Sequence, residues 1–159
     1  MRSPADRGKA TPRFAPYAVT VAELHPRDVP IFILAGGLGT RFREQTHLVP
    51  KPMIGVAGRP ILWHIMTKYA LHGFRDFAIC AGYKAEVIKD YFLNYQAINS
   101  DFTVDMSSGV VTFHSKHHED WSITVADTGA DSMTGYRIFA ATRRSLGERH
   151  TFVVTSAHG

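Results

Sequence analysis

From Val29 onward, apolar and polar positions along the chain switch between two rhythms. Ile31-Phe32-Ile33-Leu34-Ala35 is a short unbroken apolar run closed by Gly36-Gly37, the pattern of a strand buried on both faces of a parallel sheet. Pro60 opens a segment in which Ile61, Leu62, Ile65, Met66, Tyr69 and Ala70 recur at helical spacing, with Gly73 just past its end. That predicts an amphipathic helix with a readable start and stop. Phe77–Cys80 reads as a second buried strand, Gly82 as a turn, and Val87, Ile88, Tyr91, Phe92 and Tyr95 as another helical stripe. Phe102–Met106 and Val110–His114 flank Ser107-Ser108-Gly109 as a hairpin, and Ile123–Ala126 follows as a further strand. Tyr136–Leu146 reads as a helix stopped by Gly147, and Thr151–Thr155 as a last β-branched run.

Alternating strands and helices of this kind predict an α/β fold: a Rossmann-like, doubly wound, mostly parallel sheet with helices on both faces, interrupted by one β excursion. Residues 1–28 differ in character. Pro4, Pro12, Pro16 and Pro26 stand among scattered charges, and only Tyr17–Ala22 could form a strand. This predicts a flexible N-terminal extension ahead of a domain spanning 29–159. Its Arg2, Arg7, Lys9 and Arg13 read as a simple extension and not a targeting helix, because Asp6 and the prolines interrupt them.

At 159 residues, 45% apolar and 20% charged, the chain holds enough material for one globular domain with a core. No apolar run approaches the ~20 residues of a membrane-spanning helix, so no membrane partner is expected. Cys80 is the single cysteine and no secretory signal leads the chain, which places the protein in the cytoplasm by default. The net charge of +4 resides half in the first 29 residues, and no basic run is longer than Arg143-Arg144. Nucleic acid is therefore not an expected partner; the excess suits solubility and leaves room for small anionic ligands.

The chemistry concentrates after the first strand. In Leu34-Ala35-Gly36-Gly37-Leu38-Gly39-Thr40-Arg41 a tight turn without bulky side chains turns backbone N–H groups outward, as loops that cradle phosphates do. It is no Walker loop, since no Gly-Lys-Ser/Thr follows, and Phe42 occupies the third glycine position of the dinucleotide fingerprint. Arg41 adds a planar two-point phosphate grip, and Lys51, between Pro50 and Pro52, a point charge in a stiffened stretch. The glycines alone serve a plain strand-to-helix turn equally well; the two cations favour a polyphosphate.

These segments resemble the sugar-phosphate nucleotidyltransferases, and among them the glucose-1-phosphate cytidylyltransferases. Ile33–Arg41 and Pro50-Lys51-Pro52-Met53 are similar to the family's signature, and Pro60–Met66 to its cytidylyl branch. Cys80–Lys84, Val87–Phe92, Trp121–Thr124, Asp127-Thr128-Gly129 and Met133-Thr134-Gly135 continue the likeness from residue 29 to about 155. The resemblance implies a nucleotide-diphospho-sugar transferase fold and an enzyme of nucleotide-sugar biosynthesis. That enzyme would transfer CMP from CTP to glucose 1-phosphate, giving CDP-glucose and pyrophosphate on the way to lipopolysaccharide O-antigen sugars. It implies Mg²⁺ as cofactor and a homo-oligomer. Leu34, Ala35, Gly36, Gly37, Leu38, Gly39, Thr40 and Gly82 would bind the nucleotide, and Arg41 and Lys51 would be catalytic. The glycine loop cannot discriminate the base, so dTTP or GTP transfer is an alternative, and a non-catalytic nucleotide-binding or association module is another.

The chain departs from the family in three places. Relatives continue the strand at Thr151–Thr155 with Tyr-Gly-Asp-Gly, whose aspartate binds metal, where this chain reads Ser156-Ala157-His158-Gly159. Imidazole is a poor ligand for a hard cation, so no metal ligand is assigned and His158 stands where the family has Asp. The family continues beyond this point, so 29–159 is expected to be the N-terminal part of the domain, with a free apolar sheet edge at its last strand and poor solubility. Tyr136 replaces a usual second glycine, and either crowds the backbone or leans into solvent.

Other features have plainer readings. His114, His117, His118, Glu119 and Asp120 read as a solvated loop, because adjacent strand residues point to opposite faces. Cys80 reads as a small buried hydrophobe, and Tyr83 and Lys84 serve equally as nucleotide contacts or as surface residues.

Overall fold

A computed structural model of the chain describes residues 24–36, 49–114, 119–129, 132–147 and 149–157. Tyr17–Ala22, the loop from Gly37 through Arg41, and His117, His118 and His158 lie outside the described residues.

Strand β1 (Ile31–Ala35) sets the layering. Successive side chains of a strand point to opposite faces, and here both faces are apolar. Ile31, Ile33 and Ala35 join one buried cluster, whereas Phe32 joins a second with Leu34 packed against it. Two further parallel strands, β4 (Asp76–Ala81) and β7 (Ser122–Asp127), extend the sheet on one side of β1, and β8 (Val153–Ser156) on the other. The order is β7-β4-β1-β8, all parallel, so the last strand lies beside the first as the doubly wound reading requires. β8 is an outer strand among the described residues, with Val154 exposed.

Helices α1 (Ile61–Ala70) and α2 (Ala85–Leu93) cover the first face, contributing Leu62, Met66, Ala85 and Ile88 to its cluster. A short helix, α3 (Tyr95–Asn99), follows α2, and α4 (Thr134–Ser145) covers the second face through Ala141. The apolar stripe from Val87 to Tyr95 is thus two helices. Asn94 breaks it, its side-chain amide donating to the Asp90 carbonyl at 3.0 Å and the Asp90 carboxylate at 2.8 Å, the local competition with the backbone that Asn offers. Tyr95 then docks α3 on α1: its hydroxyl accepts from Trp63 Nε1 at 3.0 Å and donates to Glu119 at 2.7 Å. Burial and the Glu119 carboxylate push that phenol up to about 12.

Two small hairpins complete the chain. Strands β2 (Gly55–Val56) and β3 (Arg59–Pro60) pair across Ala57-Gly58, both at positive φ (48° and 79°). That geometry defines a two-residue turn of primed type, and no Asn-Gly or Asp-Gly announces it in the sequence. β5 (Phe102–Val104) and β6 (Val111–Phe113) form the expected antiparallel hairpin, with its regular pairing two residues shorter on β5. The turn between them is held by Asp105, whose carboxylate accepts from Ser107 N at 2.8 Å and Ser107 Oγ at 2.6 Å.

Charges gather at the end of the sheet where the strands begin. Asp120, just ahead of β7, pairs with Arg75 Nε at 2.7 Å and Arg27 at 3.0 Å, and Asp76, first in β4, pairs with Arg149. The Arg75 hydrogen bond, aided by the Arg27 charge, holds the Asp120 carboxyl below the usual carboxylate range. Arg27 belongs to a single 3₁₀ turn, Pro26–Asp28, that sets Pro26 close to Gly73.

Candidate functional site

In doubly wound sheets, ligands bind outside the carboxyl ends of the strands. Here those ends carry glycines: Gly36 directly follows β1 and Gly82 directly follows β4. The two backbones nearly touch. A methyl group added at Gly82 would lie 2.9 Å from Gly36 Cα and 2.9 Å from the Gly129 carbonyl, and one added at Gly36 would lie 3.1 Å from Gly82 N. Only residues without a Cβ allow this approach.

The side chain that fills the space above both glycines is Arg137, in the first half of α4. A Cβ on either glycine would overlap its guanidinium. Arg137 is 7% exposed and donates Nε to the Ser132 carbonyl at 2.8 Å. A buried cation is thus carried to the strand ends. Cys80, fully buried beneath, feels it: burial pushes the thiol up to about 11 while the Arg137 charge opposes the rise.

The segment after β7 closes the wall. Thr128 donates its hydroxyl to the Ala81 carbonyl at 2.6 Å, and the Asp127 carboxylate accepts from Gly129 N at 3.2 Å and Lys89 Nζ at 3.1 Å. These contacts, the Lys89 hydrogen bond foremost, hold the Asp127 carboxyl below its ordinary range. Lys84, the residue before α2, takes a left-handed conformation (φ 53°, ψ 42°) and sets its ammonium 5.7 Å from the Tyr83 ring centre.

Of the residues marked by sequence, Leu34 and Ala35 lie in β1 opposite Cys80 and Ala81, and Gly36 and Gly82 come together at the strand ends. Lys51 starts a separate 3₁₀ turn, Lys51–Met53, whose Pro52 is buried and whose Met53 packs on the α1 side of the core. Gly37, Leu38, Gly39, Thr40 and Arg41 lie outside the described residues. Arg137 escaped the sequence reading. Its signal was an arginine four residues ahead of Ala141 on the buried stripe of α4, where a charge is rare unless it has work or a partner.

A parallel sheet in this order, with helices on both faces and with glycines and the buried Arg137 at its carboxyl end, defines a doubly wound α/β domain. The profile of the nucleotidyl transferase family matches residues 31–112, and the chain belongs to that family. It is 54% identical over 106 residues to a glucose-1-phosphate cytidylyltransferase of Salmonella typhimurium, covering 67% of this chain and 41% of that protein. It is 42% identical over 127 residues to a probable glucose-1-phosphate cytidylyltransferase of Bacillus subtilis, covering 80% of this chain and 49% of that protein. The chain thus spans less than half the length of these relatives. Among solved structures, a UDP-glucose pyrophosphorylase complexed with UDP-glucose superimposes with a TM-score of 0.57 at 20% identity, over 81% of this chain and 45% of that one. HddC from Yersinia pseudotuberculosis gives 0.53 at 24% identity, over 81% and 47%. Both share the fold. Among the described residues no helix is long and apolar enough to cross a membrane.

Proposed function

We propose that this chain is the N-terminal, nucleotide-holding part of a glucose-1-phosphate cytidylyltransferase, with residues 29–159 as the corresponding part of the domain. The observation that carries the reading is the 54% identity over 106 residues to the Salmonella relative. The buried Arg137 cation and the paired glycines at the strand ends support it.

In this reading a phosphate oxygen of glucose 1-phosphate attacks the α-phosphorus of CTP in line. The new P–O bond forms as the bond to the β-phosphate oxygen breaks and pyrophosphate leaves. The protein's share is alignment and charge neutralisation. Leu34 to Thr40 and Gly82 hold the nucleotide, Arg41 receives the leaving pyrophosphate, and Lys51 faces the reacting phosphates. The setting is cytoplasmic and the product serves O-antigen sugars. Mg²⁺ is the family's expected companion, but the described residues bring no three carboxylate, imidazole or thiolate groups together. Asp127, the last residue of β7, is taken by Lys89 and Gly129. This donor set does not fit a hard cation that wants several oxygens, so no step is routed through it.

The test is binding of CTP, dTTP and GTP, followed by pyrophosphate release on adding glucose 1-phosphate. CTP preferred, with Arg41→Ala and Lys51→Ala each weakening binding or turnover, is the expected result. Unchanged behaviour in both variants removes the assignment of these two residues. CTP binding without pyrophosphate release favours the second reading, a nucleotide-binding module, for which the replacement of the family's Asp by His158 speaks.

A further inference from the structure

Among the described residues β7 is an outer strand of the sheet. Ser122 N and Thr128 N bond to the carbonyls of Arg75 and Ala81 on the β4 side, so by the two-residue period of a strand the N–H groups of Ile123 and Val125 face outward. Such an edge is a template for another strand. Beside it, on the face that α2 covers, lies a cleft of about 460 Å³ lined by Leu93, Trp121, Ile123 and Val125, with Lys89 and Glu119 on its wall. Leu93 lines this apolar cleft and is nevertheless 85% exposed, so the described chain leaves it uncovered. The two charges on the wall stand at opposite ends of the strand. Glu119 precedes Ser122, the first residue of β7, and Lys89 is fixed to Asp127, the last, at 3.1 Å.

We propose that this edge docks the β7 edge of a second copy of the chain, antiparallel, about a two-fold axis through Thr124. The charge pattern selects a copy in that orientation. Antiparallel pairing brings the Glu119 end of one strand to the Lys89 end of the other, twice over, whereas parallel pairing would set like ends together. The side chains select the register. With Thr124 on the axis, Ile123 stands opposite the partner's Val125, and Asp127 opposite the partner's Trp121. Sliding the partner two residues one way sets Ile123 against the partner's Asp127, an aliphatic chain facing a carboxylate. Sliding it two residues the other way sets Asp127 against the partner's Glu119, a like-charge pair that destabilises a sheet. A two-fold axis normal to the sheet keeps both copies of α2 on one face, so the two clefts merge across the joint and cover the exposed Leu93 of each copy. The two four-stranded sheets become one continuous sheet.

Hydrogen–deuterium exchange of the full chain, read amide by amide over a dilution series with the mass followed by light scattering, tests this. Where the mass is twice that of the chain, the Ile123 and Val125 amides are expected to exchange about tenfold or more slowly than in the diluted monomer. The Thr124 and Ala126 amides, already bonded within the β4–β7 pair, should not change. Opposed residues of a non-hydrogen-bonded antiparallel pair sit about 4.5 Å apart at Cα, within disulfide range. Thr124→Cys should therefore close an intermolecular disulfide on mild oxidation, whereas Ser122→Cys, which faces the partner's Ala126, should not. Leu93→Asp, at an exposed site, should weaken the dimer about tenfold or more by placing a charge in the joint. A monomer at every concentration with fast Ile123 and Val125 exchange overturns the proposal. So does protection that persists in a monomer, which assigns the edge to another part of the same chain, or a dimer in which these amides exchange fast, which places the contact elsewhere. Closure at Ser122→Cys as readily as at Thr124→Cys overturns the register.

Discussion

The approach of Gly36, Gly82 and Arg137 can be dissected by adding one methyl group at a time. At Gly36 the added carbon meets only the Arg137 guanidinium below 3.0 Å, and the nearest backbone atom, Gly82 N, is a tolerable 3.1 Å away. At Gly82 it meets the guanidinium as well, but also two backbone atoms at 2.9 Å, Gly129 O and Gly36 Cα. Overpacking of this kind costs about 1–3 kcal/mol, so Gly36→Ala and Gly82→Ala should each destabilise the domain by roughly that amount. The two differ in what relieves them. A side-chain tip can be deleted and a backbone cannot, so in an Arg137→Ala background the cost of Gly36→Ala should fall below about 1 kcal/mol while Gly82→Ala keeps more than half of its own. The difference is a double-mutant coupling, measurable within the ~0.5–3 kcal/mol such neighbours show. Urea unfolding followed by tryptophan fluorescence of Trp63 and Trp121 gives all the stabilities. Equal coupling of Arg137 to both glycines, or a Gly36→Ala cost that survives removal of Arg137, would refute the claim that the guanidinium occupies the space over Gly36.

Two other expectations follow from the titratable groups. Asp105 is held down to about 2, chiefly by the hydrogen bond from Ser107. Because an unfolded aspartate titrates near ~3.9, its support of the β5–β6 turn is complete above about pH 4 and fades as pH falls toward the folded value. A carboxyl titration of Asp105 by NMR with a midpoint near 4 would contradict this. Cys80, buried and pushed up to about 11, should resist a thiol reagent at pH 8 and react at the rate of unfolding; rapid native-state labelling would show that the second core cluster opens readily.

The sequence was legible where burial imposes a period. β1 and β4 are apolar on both sides because helices cover both faces, and nothing else explains Ile31–Ala35 followed by Gly36. The α1 stripe and the stops at Gly73 and Gly147, both at positive φ, were legible for the same local reasons. What escaped depends on partners distant in sequence or on weak turn chemistry. The helix break at Asn94 comes from one side chain bonding back four residues, which no periodicity records. Ala57 accepts a positive φ because the β2–β3 pairing around it requires one. Arg137 went unmarked in the sequence, and only the meeting of β1, β4 and α4 shows it buried over two glycines.

The two ends of the sheet divide the molecule's tolerance for change. Where the strands begin, Arg27, Arg75, Asp120, Asp76 and Arg149 tie separate elements by charge; where they finish, the chain presents glycines. Loops beyond the finishing end can be lengthened or rewritten without undoing any of those ties. A family built on this plan can diverge in which base or sugar it accepts while its scaffold stays put. Under the proposed function, libraries aimed at new nucleotide preference belong beyond the strand ends, sparing Gly36 and Gly82, and stabilising changes belong at the opposite pole, where the two searches do not interfere.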